Sequence, residues 1–167
     1  MEKKAVAIIG SSRSHGNTRA FLDFLIGDLD ISVIDINDLK ISPYDYQHQN
    51  QNDDFLPLMK KLINDYETFI FATPVYWYTY SCQMKMFLDR FSDFLTLEKN
   101  LGRQLRSKNT LLVTTGASSE APKCLIETFR LTFSYLGLNI LGELYQQQPV
   151  KDKAIDQKNC FEKYLAH

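Results

Sequence analysis

Apolar residues along this chain fall into two alternating rhythms. Ala5 to Ile9 is an unbroken apolar run closed by Gly10, the pattern of a strand covered on both faces. Beyond "SSRSHGN", Phe21, Leu22, Leu25 and Leu29 recur at the spacing of a helix stripe. The same alternation then repeats. "ISVIDI" at 31–36 predicts a second strand, Phe55, Leu58, Met59 and Leu62 a second helix, and "TFIFAT" from Thr68 a third strand. Met84, Leu88, Phe91 and Leu95 predict a third helix, and "TLLVTTG" from Thr110 a fourth strand ending on Gly116. Leu125, Phe129, Phe133 and Leu136 predict a fourth helix, its start marked by Ser119, Glu120 and Pro122. "NILGELY" at 139–145 predicts a fifth strand, and from Asp152 a sparser final helix carries Ala154, Phe161 and Leu165 on one side.

Five strands alternating with five helices argue for a doubly wound α/β fold, with a parallel sheet because each crossover is a helix. Such crossovers are right-handed, and ligands sit beyond the carboxyl ends of the strands where the winding reverses. That rule singles out the loops at 10–18, 73–81 and 115–120, which are also the least ordinary in composition. One further stretch breaks the rhythm. "SPYDYQHQNQNDD" at 42–54 is polar and longer than most connections in a compact domain, and so suggests an interface or a functional role.

Composition narrows the classes. At 167 residues the chain is expected to be one domain, 1–167, with a core that needs neither disulfides nor metals. It is 44% hydrophobic and 23% charged with a net charge of −1, which points to no nucleic acid and no anionic membrane as partner. Cys82, Cys124 and Cys160 are widely spaced and form no CxxC, and His15, His48 and His167 match no ligand spacing, so no metal is expected. The apolar run in "MEKKAVAIIG" is too short for a signal peptide or a membrane span, and a cytoplasmic protein is expected.

The first loop, "GSSRSHGNT", joins the first strand to the first helix. Gly10 and Gly16 allow close turns, Ser11, Ser12, Ser14, Asn17 and Thr18 supply short donors, and Arg13 supplies a permanent cation. The N–H groups and positive dipole end of the helix point into the same space, which suits a phosphate-sized dianion. Neither GxxxxGK[ST] nor GxGxxG is present, so a terminal monophosphate fits better than a nucleoside triphosphate or a dinucleotide pyrophosphate. The alternative is a polar connection whose Ser or Asn only caps the helix.

The second loop, "TPVYWYTY", holds four aromatics and the chain's one tryptophan. Pro74 closes the third strand, and Val75, Tyr76, Trp77, Tyr78 and Tyr80 follow before Ser81 opens the next helix. Rings clustered in a loop at the ligand-bearing edge can cover a planar heterocycle while backbone amides bond its rim. An aromatic plug or a dimer contact is the competing reading for each ring. In the third loop, "TTGASSE", Thr115, Gly116 and Ala117 let backbone approach a ligand, whereas Ser119 and Glu120 suit helix capping.

"IIGSSRSHGNTRA", "FATPVYWYTYSCQMKMFLDRF" and "TTGAS" together resemble the NADPH-dependent FMN reductase family, in order and in spacing. The resemblance extends over nearly the whole chain and implies a flavodoxin-like three-layer sandwich with a five-stranded parallel sheet in order 2-1-3-4-5. It implies that Ser11, Arg13, Ser14, Gly16, Asn17 and Thr18 surround the FMN phosphate. Pro74, Val75, Tyr76, Trp77 and Tyr78 would then line the ribityl chain and the isoalloxazine ring, with Thr115, Gly116 and Ala117 approaching from the third loop. Iron–sulfur relatives carry clustered cysteines after the second strand. Here that stretch has Tyr44 and Tyr46 instead, so no cluster is expected. The resemblance implies an FMN-dependent oxidoreductase, often a homodimer, that takes a hydride from NADPH or NADH and reduces a small-molecule acceptor such as a quinone, a nitro or azo compound, or flavin. No Ser–His–Asp or Cys–His set is present, so no catalytic side chain is assigned. Arg103, Arg106 and Lys108 could meet a 2′-phosphate of the reductant or form a solvated basic loop. A flavodoxin-type carrier docking to protein partners is the alternative, disfavoured by the near-neutral charge. A structural or regulatory protein that kept the fold without the cofactor is a third.

Overall fold

The computed structural model describes residues 4–149 and 154–166. Five strands, β1 (Ala5–Ile9), β2 (Ser32–Asp35), β3 (Thr68–Pro74), β4 (Asn109–Gly116) and β5 (Asn139–Gln147), form one sheet in the order β2-β1-β3-β4-β5. Every pairing is parallel. The expected order is therefore observed.

Helices α1 (Asn17–Ile26) and α7 (Ile155–Leu165) cover one face of the sheet. The other face carries α2 (Phe55–Asp65), α3 (Cys82–Asp89), the short α4 (Asp93–Thr96) and α5 (Lys99–Arg103), and α6 (Lys123–Leu136). Strand side chains alternate between the two cores. Ala5, Ala7 and Ile9 of β1, with Ile70, Ala72, Leu111 and Val113, pack under α1 and α7. Val6, Ile8, Phe69, Phe71 and Leu112 pack on the opposite side. Burial on both faces is why these strands read as continuous apolar runs. The larger core is rich in rings: Phe71 and Phe133 lie 4.7 Å apart between centroids, and Phe55 meets Phe87 edge-on at 5.3 Å. Each such side chain contributes about 1.5–3 kcal/mol by leaving water.

Several boundaries differ from the sequence expectation. The first helix stripe ends at Ile26, where Gly27 turns with φ 52°, so Leu29 lies beyond the helix and is exposed. The third helix is interrupted. α3 stops at Asp89, a 3-10 turn spans Arg90–Ser92, and Leu95 on α4 faces solvent. Ser119 and Glu120 do not cap α6, which starts at Lys123 behind Pro122 with no side-chain cap. β2 is shorter than expected, with Ile36 in a 3-10 turn, and β5 runs two residues further, to Gln147. The start of the final helix at Asp152 lies outside the described residues; the helix is described from Ile155.

β5 slips in register between its pairings to Thr110 and Leu111, leaving Leu141 as the extra residue. Gly142 follows the bulge. A Cβ there would stand 2.4 Å from the Tyr164 ring, so the glycine lets α7 lie directly on the strand.

The polar stretch at 42–54 is not a loose connection. Arg90, fully buried, donates from Nε to Asp93 at 2.9 Å and from Nη1 to the Ser42 carbonyl at 3.0 Å and to Asp53. Its guanidinium also stands 4.8 Å from the centre of the Phe55 ring. Asp53 in turn accepts from the Ser42 and Phe55 backbone N–H groups. Burial alone would raise the Asp53 carboxyl, but Arg90 and those two amides hold it below the ordinary carboxylate value.

Candidate active site

Neighbours in the sheet decide which loops meet. β1 lies between β2 and β3, and the winding reverses between β1 and β3, so the loops that follow these two strands face each other at the switch point. Gly10 ends β1 against the start of α3. A Cβ on it would meet the Met84 backbone nitrogen at 2.8 Å. Ser81 locks that junction: its hydroxyl donates to the Gly10 carbonyl at 2.7 Å and accepts from the Met84 N–H, capping α3.

A cavity of about 170 Å³ opens between the three loops. It is lined by Ser11, Arg13, Gly16, Asn17 and Thr18 of the first loop, Pro74, Val75 and Tyr76 of the second, and Thr115, Gly116 and Ala117 of the third. The structure thus brings together most of the residues singled out in the sequence. It does not bring Ser14, Trp77 or Tyr78 to the wall.

The loops are laced to one another. Thr18 Oγ1 and Thr115 Oγ1, both buried, share a hydrogen bond of 2.7 Å on the floor. The Val75 N–H donates to the Thr115 carbonyl at 2.7 Å. Ser12 Oγ and the Tyr76 hydroxyl meet at 2.6 Å at the mouth. Asn37, just past β2, donates from Nδ2 to the Ser11 carbonyl at 2.7 Å and to Ser14 Oγ at 3.3 Å, so Ser14 braces the loop.

The electrostatics of the first loop favour an anion. α1 begins behind Gly16 with no side-chain cap and no acidic residue in its first turn, which leaves its leading N–H groups without a side-chain acceptor. Arg13 is exposed at the rim and has no ion pair among the described residues. The start of α1, the Ser11 and Thr18 hydroxyls and the Arg13 guanidinium therefore all belong to the first-loop wall of the cavity. This donor set fits a terminal phosphate ester. The Tyr76 ring, Val75 and Gly116 line the same cavity and supply flat or open surface that fits a planar ring system.

In the second loop the chain makes a two-residue hairpin. Tyr76 and Thr79 exchange backbone hydrogen bonds of 3.0 and 3.1 Å, and Trp77 and Tyr78 form its tip at φ 48° and 68°. Positive φ at both central positions is the geometry that Asn-Gly turns adopt without strain. For bulky L-residues it costs about 1–2 kcal/mol each. Tyr80, by contrast, turns inward, and burial pushes its hydroxyl above the usual tyrosine range, so it stays neutral at ordinary pH.

Two residues at the site escaped the sequence reading. Gln148 lines the cavity, and its N–H donates to the Gly116 carbonyl at 2.7 Å. It reaches this point because β5 outruns its apolar stretch, and polar "QQQ" carries no strand signal of its own. Asn37 is the other; its place in "IDIND" at the carboxyl end of β2 was the available hint. Arg103, Arg106 and Lys108 lie before β4, a strand's length of about 23 Å from Thr115. Lys108 is buried and paired with Glu67 at 3.0 Å. These three belong to the far end of the sheet and not to a reductant site.

Comparison with known proteins identifies the family. The family model described as NADPH-dependent FMN reductase matches residues 3–147. The chain belongs to that family. Its reading as an FMN enzyme driven by a nicotinamide reductant stands with the family, although the match does not name the acceptor. The chain is 27% identical over 149 residues to YwqN of Bacillus subtilis, named as an NAD(P)H-dependent FMN-containing oxidoreductase, covering 83% of this chain and 82% of that one. It is 31% identical over 99 residues to an iron-sulfur flavoprotein of Archaeoglobus fulgidus, but across only 52% of this chain and 44% of the relative. The solved Trp repressor binding protein of Bacillus subtilis shares the fold, with a TM-score of 0.73 at 20% identity over 97% of this chain and 96% of that one. Among the described residues of this NADPH-dependent FMN reductase family member, no group of three or more His, Cys, Asp or Glu is placed to hold a metal. None of its described helices is long and apolar enough to cross a membrane.

Proposed function

We propose that this chain binds FMN in the cavity at the switch point and uses NADPH or NADH to reduce a small acceptor such as a quinone, a nitro or azo compound, or free flavin. One observation carries the reading. The uncapped start of α1, Arg13 and the Ser11, Asn17 and Thr18 side chains line one cavity together with Tyr76, Val75 and Gly116.

In this reading Ser11, Arg13, Gly16, Asn17 and Thr18 hold the phosphate, with Ser14 bracing their loop through Asn37. Pro74, Val75 and Tyr76 line the ribityl chain and one edge of the ring, and Thr115, Gly116 and Ala117 approach from the opposite side. The redox chemistry FMN supplies when bound is hydride acceptance and electron delivery, so the protein's share is placement and local charge. The cavity is smaller than the roughly 300–1,000 Å³ usual for sites that enclose a ligand. In this reading the cavity takes only part of the FMN, and the remainder stays open to a reductant and then an acceptor. Cys82 and Cys124 are exposed and unpaired, and neither is needed as a nucleophile.

The decisive test is to purify the protein, release and identify any bound chromophore, and titrate the holoprotein without oxygen against NADH and NADPH. FMN release and bleaching of the flavin by at least one nicotinamide are expected. Flavin that neither nicotinamide reduces would leave an electron carrier, and a colourless protein that FMN does not stabilise would leave neither. We also propose that the chain works as a homodimer, supported by Leu131 and Tyr135 standing exposed on the outer face of α6. Sedimentation equilibrium at a single-chain mass would remove that part.

A further inference from the structure

At the rim of the cavity stands a turn whose residues suit neither its backbone nor its surroundings. Positive φ at both central positions draws Asn, Asp or Gly, yet here the positions hold Trp77 and Tyr78. Trp77 is the chain's one tryptophan and is 92% exposed. Glycine would relax the backbone, and a polar residue would suit the water. The turn is nevertheless held from every side. The Tyr76–Thr79 backbone pair closes its base, the Tyr76 hydroxyl meets Ser12, and Cys124 Sγ donates to the Tyr78 carbonyl at 3.2 Å. The braced backbone therefore presents a large ring to solvent one residue beyond Tyr76, which lines the cavity. Strained, well-braced positions of this kind are found where geometry serves function.

We propose that Trp77 is the stacking platform for the electron acceptor and sets the substrate class. Flat aromatic acceptors are preferred over compact ones because only they offer a face to the indole. The inference rests on the function proposed above and deepens it. Stacking tolerates any flat ring, so the platform selects for planarity and not for one functional group. A small redox pocket that must accept varied aromatic compounds gains selectivity in this way without further hydrogen-bonding side chains. It also gives Trp77 a role distinct from the cofactor wall, which Tyr76 already supplies.

The test uses Trp77→Gly, which removes the ring and relaxes φ together, and Trp77→Phe, which keeps a ring. In the FMN-loaded enzyme, the ratio of kcat/KM for 1,4-naphthoquinone to kcat/KM for ferricyanide is expected to fall about tenfold in Trp77→Gly and under about threefold in Trp77→Phe. The melting temperature of Trp77→Gly should not fall. A second readout needs no turnover. Calorimetric titration of the oxidised FMN-loaded protein with anthraquinone-2-sulfonate, without reductant, should show binding that Trp77→Gly weakens by a similar factor. Acrylamide quenching of the single tryptophan should drop when that probe is bound. If neither nicotinamide reduces the wild-type protein, the proposed function fails while the calorimetric arm still decides the platform. An unchanged acceptor ratio together with undiminished anthraquinone binding overturns it. So does a loss of FMN affinity in Trp77→Gly, which would make the ring a cofactor wall, or a change in subunit association alone, which would make it a contact between copies.

Discussion

Asn17 occupies the first position of α1, at the point where the helix dipole and the open N–H groups face the cavity. Asn17→Asp separates two effects that oppose each other there. A carboxylate at a helix start favours the protein without ligand by about 0.3–1 kcal/mol, yet it sets a negative charge beside the proposed phosphate. The expected outcome is a melting temperature without FMN that is unchanged or higher and an FMN affinity lowered by at least about tenfold. Fluorescence titration of FMN measures the second, and an unaltered affinity would remove the phosphate from this wall of the cavity. The Thr18–Thr115 pair on the floor is tested differently. Thr18→Val leaves the buried Thr115 hydroxyl without its partner, and a loss of about 1–3 kcal/mol in urea unfolding is expected. At this scale the first loop stood out in the sequence because Gly, Ser, Asn and Arg form the donor set of an anion loop, and the structure places Ser11, Arg13, Gly16, Asn17 and Thr18 on the cavity wall. Gln148 and Asn37 were not readable. Each is ordinary in type and gains its role only from where a strand end delivers it.

At the scale of elements, the third predicted helix shows what periodicity cannot report. Met84, Leu88, Phe91 and Leu95 keep helical spacing with no Pro or Gly between them, yet the chain turns through a 3-10 segment at Arg90–Ser92. The turn places Arg90 and Asp93 inside, where Arg90, held by Asp93, ties down the 42–54 stretch through Asp53 and Ser42, and it rotates Leu95 outward. Tertiary ion pairing overrode the apolar stripe, and Asp53 lies 37 positions from Arg90 in the sequence. Arg90→Met should destabilise the fold by about 3–5 kcal/mol at neutral pH, since Asp53 and Asp93 lose their counter-charge inside the protein. The pH dependence gives the sign. The native Asp53 carboxyl is held below its ordinary value of 3.8, so its contribution is present above about pH 4 and is lost as pH falls through the depressed native value. Protonation relieves the variant instead. The gap between native protein and Arg90→Met in denaturant melts should therefore shrink below about pH 4, and a gap that stays constant would count against the ion pair as the cause.

Across the whole molecule, the two-faced parallel sheet was legible because continuous apolar runs alternate with helix stripes, whereas the strand order came from the family resemblance and not from that pattern. The slip in β5 and its close contact with Tyr164 were not legible, since Gly142 reads from sequence as a weak point in a strand and in fact makes room for a helix. The lacing of the site has a consequence for how the molecule is made. Its hydroxyl pairs join residues 64 and 97 positions apart, from Ser12 to Tyr76 and from Thr18 to Thr115. Such contacts form only after long stretches of chain have closed into the sheet, and connections of that separation are slow to make. The proposed cofactor seat is thus a late product of folding and offers no template for its early steps. FMN should slow unfolding of the holoprotein in rapid-dilution experiments while leaving the refolding rate of the bare chain unchanged, because its contacts are absent from the barrier state. Acceleration of refolding by FMN would show that the seat assembles early. In a cell, a newly made chain would have to finish its sheet first and take up the flavin afterwards.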